Sequence, residues 1–375
     1  MEDLPKNSEQ NQQQILNLEN PYDLIDGASG EGFDITSEFE KQRNIIADKS
    51  NWLDDRLEAF GDIMDSEVGD TSMVRARNIE REVGARQIYL KFEGGNPTGT
   101  QKDRIAFAQA MDAMRRGFET MTLATCGNYG VACSLAASIA NIKCKIFVPE
   151  TYHAIRIKEM VALGAEIVRV PGDYERAVEI SSEVAQQEEL YDANPGGTNI
   201  TLQLKAYGEI ANEIYDDLRD APSIVAVPVS NGTTIAGIYK GFLSLYRRGK
   251  TSKMPRFVAG SSFKKNPIIH AYLTNKETAE DLQPDKIKES KINEPLINWH
   301  SIDGDLALEA IRNTNGWAAD ATDKAMLSYS KLIREKEGMF VLPASTAGLI
   351  ALINKNNNKE TINNDRFVVV LTGRK

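Results

Sequence analysis

The chain has few of the side chains from which proteins build metal centres and hydrolytic triads. Its 375 residues include three cysteines and three histidines. The cysteines, Cys126, Cys133 and Cys144, form no CxxC pair and are expected to be free thiols in the interior. The histidines are widely scattered, which argues against a multi-histidine metal site and against a Ser–His–Asp hydrolase. We therefore expect any demanding chemistry to come from an organic cofactor.

The chain also lacks an excess of positive charge and long apolar runs. Its formal net charge is −10, which argues against nucleic-acid binding because that affinity depends on cationic contacts to phosphate. It has no run of about 18 apolar residues, and its first residues show no charged-then-apolar signal pattern. We expect a cytoplasmic protein that binds neither nucleic acid nor membrane. Its length predicts two domains, or one large domain with a subdomain.

Composition changes along the chain. Residues 1–20 are rich in Gln, Asn and Glu and predict a disordered tail. Apolar residues recur at roughly helical spacing over 36–60, which predicts two short helices, and we assign 21–64 to an N-terminal helical extension. Further on, apolar strands alternate with helices of about ten to fifteen residues, and the alternation includes a short strand predicted at 340–342. This pattern is typical of parallel βαβ units and predicts an α/β protein.

Three loops of small polar residues follow strands in this pattern. Residues 93–104 read EGGNPTGTQKDR, in which Lys102 begins a helix. Unpaired backbone N–H groups and the helix dipole there disfavour the ammonium form and favour a nucleophilic amine. Residues 124–130 read ATCGNYG, and residues 230–234 read SNGTT, whose hydroxyls and amides suit a phosphate.

Each loop by itself is also compatible with an ordinary helix start, with no ligand. Their joint occurrence is more informative, because ligands gather at the carboxyl ends of the strands in open parallel sheets. The last strand likewise ends in a polar residue, Thr372. We expect the three loops and this strand end to face one crevice.

Together these segments resemble the fold-type II pyridoxal-phosphate (PLP) enzymes, in particular the threonine synthase-like branch of the tryptophan synthase beta-like superfamily. The resemblance covers residues 65–375. Residues 96–104, NPTGTQKDR, resemble the family's Schiff-base lysine motif NPTGSFKDR, with only Thr100 and Gln101 changed. Residues 67–71 (EVGDT) and 343–345 (PAS) resemble two further family segments.

The resemblance implies a fold and an assembly. Two three-layer α/β/α domains with mostly parallel open sheets would hold the cofactor, pyridoxal 5′-phosphate, in the cleft between them. Residues 65–104 and 200–375 would form the large cofactor-binding domain, and 105–199 a smaller mobile domain that carries the Asn128 loop. The family also implies a small amino-acid substrate and a homodimer.

The resemblance implies a role for each site residue. Lys102 would hold the cofactor as a Schiff base and, once released, act as general base at the substrate Cα. Asn128 would contact the ring hydroxyl of the cofactor, and Thr372 its pyridine nitrogen. The cofactor phosphate would lie against Ser230, Asn231, Gly232, Thr233 and Thr234. The substrate carboxylate would lie in the loop formed by Thr125, Cys126, Gly127 and Tyr129.

A neutral hydroxyl at Thr372 would leave the pyridine nitrogen largely unprotonated. The implied enzyme is therefore a lyase or transferase that performs elimination or replacement at Cβ or Cγ of an O-activated amino acid, and transamination is disfavoured. Conversion of O-phosphohomoserine to threonine is the nearest named activity. Cysteine synthase-like β-replacement and deamination of serine or threonine remain open, as does a non-catalytic subunit with this fold.

Two departures from the family pattern bear on the substrate. The family's threonine synthases usually carry an arginine after an Asn-Pro step, which we expect to hold the substrate phosphate, whereas residues 194–199 read NPGGTN. Arg156 or Lys158 is a candidate replacement. Tyr129 stands where the family often has threonine; its phenol would narrow the pocket and add a candidate acid or base.

Overall fold

The fold is described from a computed structural model, which places residues 37–125, 127–150, 156–357 and 365–375. The predicted tail at 1–20, the first part of the predicted helical extension and the candidate substrate residue Cys126 lie outside the described residues.

The described residues form short, mostly apolar strands, as expected for sheets covered on both faces. In chain order these strands are β1 (Met73–Arg75), β2 (Ile88–Phe92), β3 (Thr120–Ala124), β4 (Lys143–Pro149), β5 (Glu166–Val170), β6 (Tyr191–Asp192), β7 (Ile224–Pro228), β8 (Arg256–Ser262), β9 (Trp317–Ala321) and β10 (Phe367–Leu371).

Helices connect and cover these strands. Within the described ranges they are α1 (Glu38–Ala47), α2 (Leu53–Glu67), α3 (Arg77–Val83), α4 (Lys102–Arg115), α5 (Asn128–Ala140), α6 (Arg156–Ala162), α7 (Tyr174–Gln187), α8 (Ile200–Leu218), α9 (Thr233–Arg247), α10 (Pro267–Leu273), α11 (Gly304–Asn313), α12 (Asp323–Glu337) and α13 (Ala347–Asn357). No helix of the described segments is long and apolar enough to cross a membrane.

The strands pair in two sheets. The larger sheet has the order β1-β2-β10-β7-β8-β9, and the smaller has the order β5-β4-β3-β6. All neighbouring strands run parallel except the edge pair β1 and β2, which is antiparallel. Parallel neighbours bring the carboxyl ends of β2, β10 and β7 to one edge of the larger sheet. The predicted α/β fold with mostly parallel open sheets is confirmed.

Predictions of individual helices were correct where the spacing of apolar residues was regular over many positions. The two helices expected over 36–60 are α1 and α2, and their apolar faces join the main core through Ile46, Phe60 and Ile63. The strand predicted at 340–342 was wrong: Val341 makes only an isolated bridge to Arg374, and a 3₁₀ turn follows at once. Proline at 343, which has no N–H to donate, favours that turn.

Two helices under the larger sheet pack with their backbones almost in contact. A Cβ atom at Gly241 of α9 would lie 2.5 Å from the carbonyl oxygen of Gly208 on α8. A Cβ atom at Gly237 would lie 2.5 Å from the Cβ of Tyr207. Glycine is therefore required at these positions because any larger residue would separate the two helices.

A buried ion network fixes the start of α4. Arg104, two residues after Lys102, pairs through Nε with Oε2 of Glu93 at 2.6 Å and through Nη1 with Oε1 of Glu213 at 2.6 Å. Lys91 Nζ pairs with Oε2 of Glu213 at 2.5 Å and also donates to the carbonyl of Thr71. Arg104, Glu93 and Lys91 are at most 4% exposed. The network joins β2, α4 and α8 next to Lys102, which lines the cavity described below.

The network is electrostatically compensated. Burial alone would lower the pKa of Arg104, but the carboxylates of Glu93 and Glu213 raise it above its ordinary value. Burial would likewise raise the pKa of Glu213, but Arg104 and Lys91 outweigh that effect and lower it to about 2 from the ordinary 4.5. Removing one member would leave an opposite charge buried without its partner, which is costly.

Replacing Glu213 with glutamine should destabilise the fold by on the order of 3 kcal/mol at neutral pH. Since the pKa of Glu213 is lowered in the folded state, its contribution is complete above about pH 4.5 and is lost as pH falls towards 2. The stability difference between wild type and Glu213→Gln should therefore be smaller at pH 3 than at pH 6. Urea denaturation at the two pH values measures it.

Glu209→Gln is a matched control on the same helix. Glu209 is exposed and accepts a hydrogen bond only from Asn212 among the described residues, so its substitution should change stability by less than about 0.5 kcal/mol. An equal loss for Glu213→Gln at both pH values would contradict the electrostatic account.

Candidate active site

One cavity of about 110 Å³ lies where strand ends of both sheets meet the start of α4. Its lining includes every residue that the sequence predicted to bind the cofactor: Lys102, Asn128, Ser230, Asn231, Gly232, Thr233, Thr234 and Thr372. Main-chain contacts hold two of these segments together, since Gln101 N–H donates to the carbonyl of Thr372 at 3.0 Å and Thr100 forms a bridge with Gly373. Segments far apart in the chain therefore converge on one place.

Lys102 lies at the first position of α4, and its amine is poorly hydrated. Desolvation by burial lowers the pKa of Lys102 to about 8, although Cys133 and Asp303 act in the opposite direction. The sequence had suggested the helix start as the cause; burial is the larger effect. Nζ lies 5.6 Å from the centroid of the Tyr129 ring and 6.0 Å from that of the Tyr207 ring. Such an amine is a competent nucleophile near neutral pH.

The loop at 230–234 joins β7 to α9. Gly232 adopts φ +98°, and a Cβ atom there would lie 2.6 Å from the carbonyl oxygen of Asp303, so the turn requires glycine. Asn266 Nδ2 donates to the carbonyl of Ser230 at 2.9 Å, and Asn298 Nδ2 donates to Oδ1 of Asn231 at 2.9 Å. These contacts leave the N–H groups at the start of α9 available to an anion.

Thr372 directly follows β10 and lies beside a residue that the sequence did not place among the site residues. Its hydroxyl lies 3.2 Å from the hydroxyl of Ser345, which is fully buried and also accepts the N–H of Gly373 at 3.1 Å. Ser345 lines the same cavity. The sequence signal for it was the match at 343–345, which indicated a nearby segment but no specific contact.

The candidate substrate loop leads from β3 into α5. Thr125 Oγ1 accepts the N–H of Gly127 at 3.3 Å, which tightens the turn before Asn128. A Cβ atom at Gly130 would lie 2.6 Å from Cγ2 of Thr125 and 2.5 Å from Cε of Met160, so the turn is closely packed from behind. Within this loop, Asn128 lines the cavity. Its sequence neighbours Thr125, Gly127 and Tyr129 are not among the lining residues.

The hydroxyl of Tyr129 belongs to a buried hydrogen-bond network. It accepts from Nε2 of Gln109 at 2.5 Å and donates to the carbonyl of Ala193 at 2.5 Å. Gln203 Nε2 extends the network by donating to Oε1 of Gln109 at 3.0 Å. Burial raises the pKa of Tyr129 well above its ordinary value. The phenol is therefore a structural hydroxyl, and its ring is the part that approaches Lys102.

Comparisons with known proteins agree with this geometry. The family described as pyridoxal-phosphate dependent enzyme matches residues 64–373. Threonine synthase of Methanocaldococcus jannaschii is 30% identical over 306 residues, which are 81% of this chain and 74% of that protein. Threonine synthase of Halalkalibacterium halodurans is 28% identical over 81% of this chain and 82% of that protein.

Solved structures with the same fold are more distant in sequence. Serine racemase from Dictyostelium discoideum has a TM-score of 0.69 at 16% identity, over 85% of this chain and 97% of that chain. The processed form of threonine deaminase isoform 2 from Solanum lycopersicum has a TM-score of 0.68 at 16% identity, over 86% of this chain and 90% of that chain. With the family match and the relatives above, the chain belongs to the pyridoxal-phosphate-dependent enzymes of fold type II, as a lyase of the threonine synthase-like branch.

Proposed function

We propose that Lys102 holds pyridoxal 5′-phosphate and that the protein performs elimination or replacement at the side chain of a small amino acid. The convergence of Lys102 with Asn128, the 230–234 loop and Thr372 on one cavity carries the proposal. The threonine synthase relatives make O-phosphohomoserine the nearest named substrate. Deamination of serine or threonine is a second candidate, favoured by Gly196, which presents no side chain where the family usually has an arginine.

The residues of the cavity fit this cofactor. A desolvated lysine with a pKa of about 8 can attack an aldehyde, and the start of α9 with its threonine hydroxyls suits a phosphate monoester. Thr372 offers a neutral hydroxyl, held by Ser345, to a ring nitrogen. When bound, the cofactor supplies the electron sink for negative charge developing at the substrate Cα.

The chain's own groups bind, orient and move the proton. Released from the cofactor, Lys102 takes the Cα proton at Nζ, and its lowered pKa leaves much of the amine unprotonated near pH 8. Asn128 would contact the ring hydroxyl of the cofactor, and Ser230 to Thr234 would hold its phosphate. Thr125, Gly127 and Tyr129 form the described part of the loop that receives the substrate carboxylate.

We also propose the domain division expected from the sequence, with 65–104 and 200–375 as the large domain and 105–199 as the smaller one. The separate sheet formed by β3 to β6 supports it. We further propose that the protein is a cytoplasmic homodimer that does not bind nucleic acid, and the net charge of −10 supports the last point.

Covalent attachment of the cofactor tests the proposal. Borohydride reduction of the loaded protein should fix the cofactor on Lys102, as peptide mapping would show, and Lys102→Ala should remove the label. Because the pKa of Lys102 is about 8, attachment to cofactor-free protein should accelerate as pH rises from 7 and level off above about 9. Lys158→Ala is the control, since Lys158 is exposed on α6, and it should keep the label. A label on another lysine would refute the assignment.

Tyr129→Phe separates the ring of Tyr129 from its hydroxyl. The variant removes the acceptor of one hydrogen bond from Nε2 of Gln109 and the donor to the buried carbonyl of Ala193, so we expect a stability loss of about 1–3 kcal/mol in urea denaturation. The pH dependence of cofactor attachment should stay unchanged because the ring remains beside Lys102. Tyr129→Leu removes the ring and should shift that dependence to lower pH, because a cation–π contact favours the ammonium form. Loss of turnover in Tyr129→Phe at full stability would instead assign the hydroxyl a chemical role.

A further inference from the structure

Two tyrosine rings flank the amine of Lys102, and their hydroxyls differ in what they contact. Nζ lies 5.6 Å from the ring centroid of Tyr129 and 6.0 Å from that of Tyr207. The hydroxyl of Tyr129 has the two hydrogen-bond partners described above. The hydroxyl of Tyr207 is buried and has no hydrogen-bond partner among the described residues. Tyr207 is 0% exposed, so bulk water cannot serve as that partner.

A buried hydroxyl without a partner is costly, because it has lost its hydrogen bonds to water and gained none within the protein. Such groups are rare in folded proteins, so the one on Tyr207 requires an explanation. A ligand that turns a neighbouring polar group towards the hydroxyl is one. The identity of that neighbour therefore indicates which ligand group the hydroxyl serves.

The neighbour is found on α9. Tyr207 lies on α8, and a Cβ atom at Gly237 of α9 would lie 2.5 Å from its Cβ, so the side chain packs directly on α9. Gly237 is three residues after Thr234, and residues three apart share one face of a helix. Burial raises the pKa of Tyr207 above its ordinary value, and the side chain of Thr234 opposes this effect. The two hydroxyls are thus close enough to interact, although they are not hydrogen-bonded.

The two threonines at the start of α9 differ in what their hydroxyls can offer an anion. Thr233 Oγ1 donates to Oδ2 of Asp303 at 2.5 Å, so its proton is committed to a carboxylate. Thr234 lines the cavity and adjoins Tyr207. A hydroxyl has one proton to donate and two lone pairs with which to accept. If Thr234 accepts the proton of Tyr207, its own proton is left for an anion in the cavity.

We propose that Tyr207 is a positioning residue for the cofactor phosphate: its hydroxyl donates to Oγ1 of Thr234, and the Thr234 hydroxyl donates to a phosphate oxygen. This inference rests on the proposed function and adds a residue that is not among the described residues lining the cavity. The bond to the phosphate is charge-assisted, and hydrogen bonds in such a chain strengthen one another. The bound phosphate thereby gives the Tyr207 hydroxyl its partner.

Tyr207→Phe in the full-length protein removes the hydroxyl and keeps the ring beside Lys102. In the absence of cofactor the variant should be at least as stable as wild type in urea denaturation, because the hydroxyl that it loses has no described partner. Its affinity for pyridoxal 5′-phosphate should fall by roughly three- to tenfold, because one hydrogen bond of the chain is lost. Titration of cofactor-free protein, followed by cofactor absorbance, measures the affinity.

Pyridoxal, which has the same aldehyde and ring but no phosphate, locates the effect. Its affinity should be the same for wild type and for Tyr207→Phe. An equal loss with pyridoxal and with its phosphate would assign the hydroxyl to the ring or to Lys102 and would overturn the proposal.

Thr234→Val tests the second hydrogen bond of the chain. The variant should also weaken binding of the phosphorylated cofactor, and adding Tyr207→Phe to it should cost little more, because both changes break one chain. Fully additive losses would contradict the chain. Tyr239→Phe is the control: Tyr239 is a buried tyrosine on α9 whose hydroxyl lies 3.5 Å from Nδ2 of Asn313, and it is not among the described lining residues. It should leave the preference for the phosphorylated cofactor over pyridoxal unchanged.

The outcomes separate this inference from the proposed function. If the cofactor fails to attach to Lys102 in wild type, the proposed function is wrong and the inference falls with it. If the cofactor attaches and Tyr207→Phe binds it as tightly as wild type does, the inference alone is overturned. A loss of stability in cofactor-free Tyr207→Phe with an unchanged preference for the phosphate would show a structural hydroxyl, which also overturns the inference.

Discussion

The position of Lys102, the candidate active-site lysine, depends on the buried guanidinium two residues after it. Arg104 binds Glu93 and Glu213 in a region where water cannot replace either partner, so the first turn of α4 is fixed relative to β2 and α8. Because that turn is fixed, the side chain of Lys102 is held in a buried environment with little water. The nucleophilicity of the amine thus depends on an ion network that lies outside the cavity.

Much of the fold follows from patterns that act within a few residues. Long apolar strands and helices stopped by glycine identified the parallel βαβ framework, because burial on both faces leaves little choice of residue. The failures are edge elements. Strand β9 went unrecognised because Trp317–Ala321 is mostly alanine, which has little intrinsic strand preference, and its pairing with β8 creates it. The bridge at Val341 was mistaken for a strand because its three apolar residues resemble one, although Pro343 favours a turn directly after them.

The candidate site likewise contains residues that the sequence could identify and residues that it could not. Loops at strand ends could be found from sequence, since a lysine, an asparagine or a run of hydroxyls at a strand–helix junction carries its own physical signal. Ser345 and Asp303 carry no such signal: one is a buried serine in a turn, and the other an acidic residue before a helix, where acids are common. The orientation of Tyr129 was also beyond sequence reasoning, because Gln109 and Ala193 come from other segments.

The near-contact of α8 and α9 bears on how the cleft can change its width. Both helices belong to the wall of the larger sheet, and with backbone against backbone they have no side-chain layer through which to slide. Helix α9, which follows the 230–234 loop, and helix α8, which carries Glu213, therefore behave as one stiff block. Under the proposed domain division, a change in cleft width would come from the four-stranded sheet, which carries Asn128 on a turn of small residues.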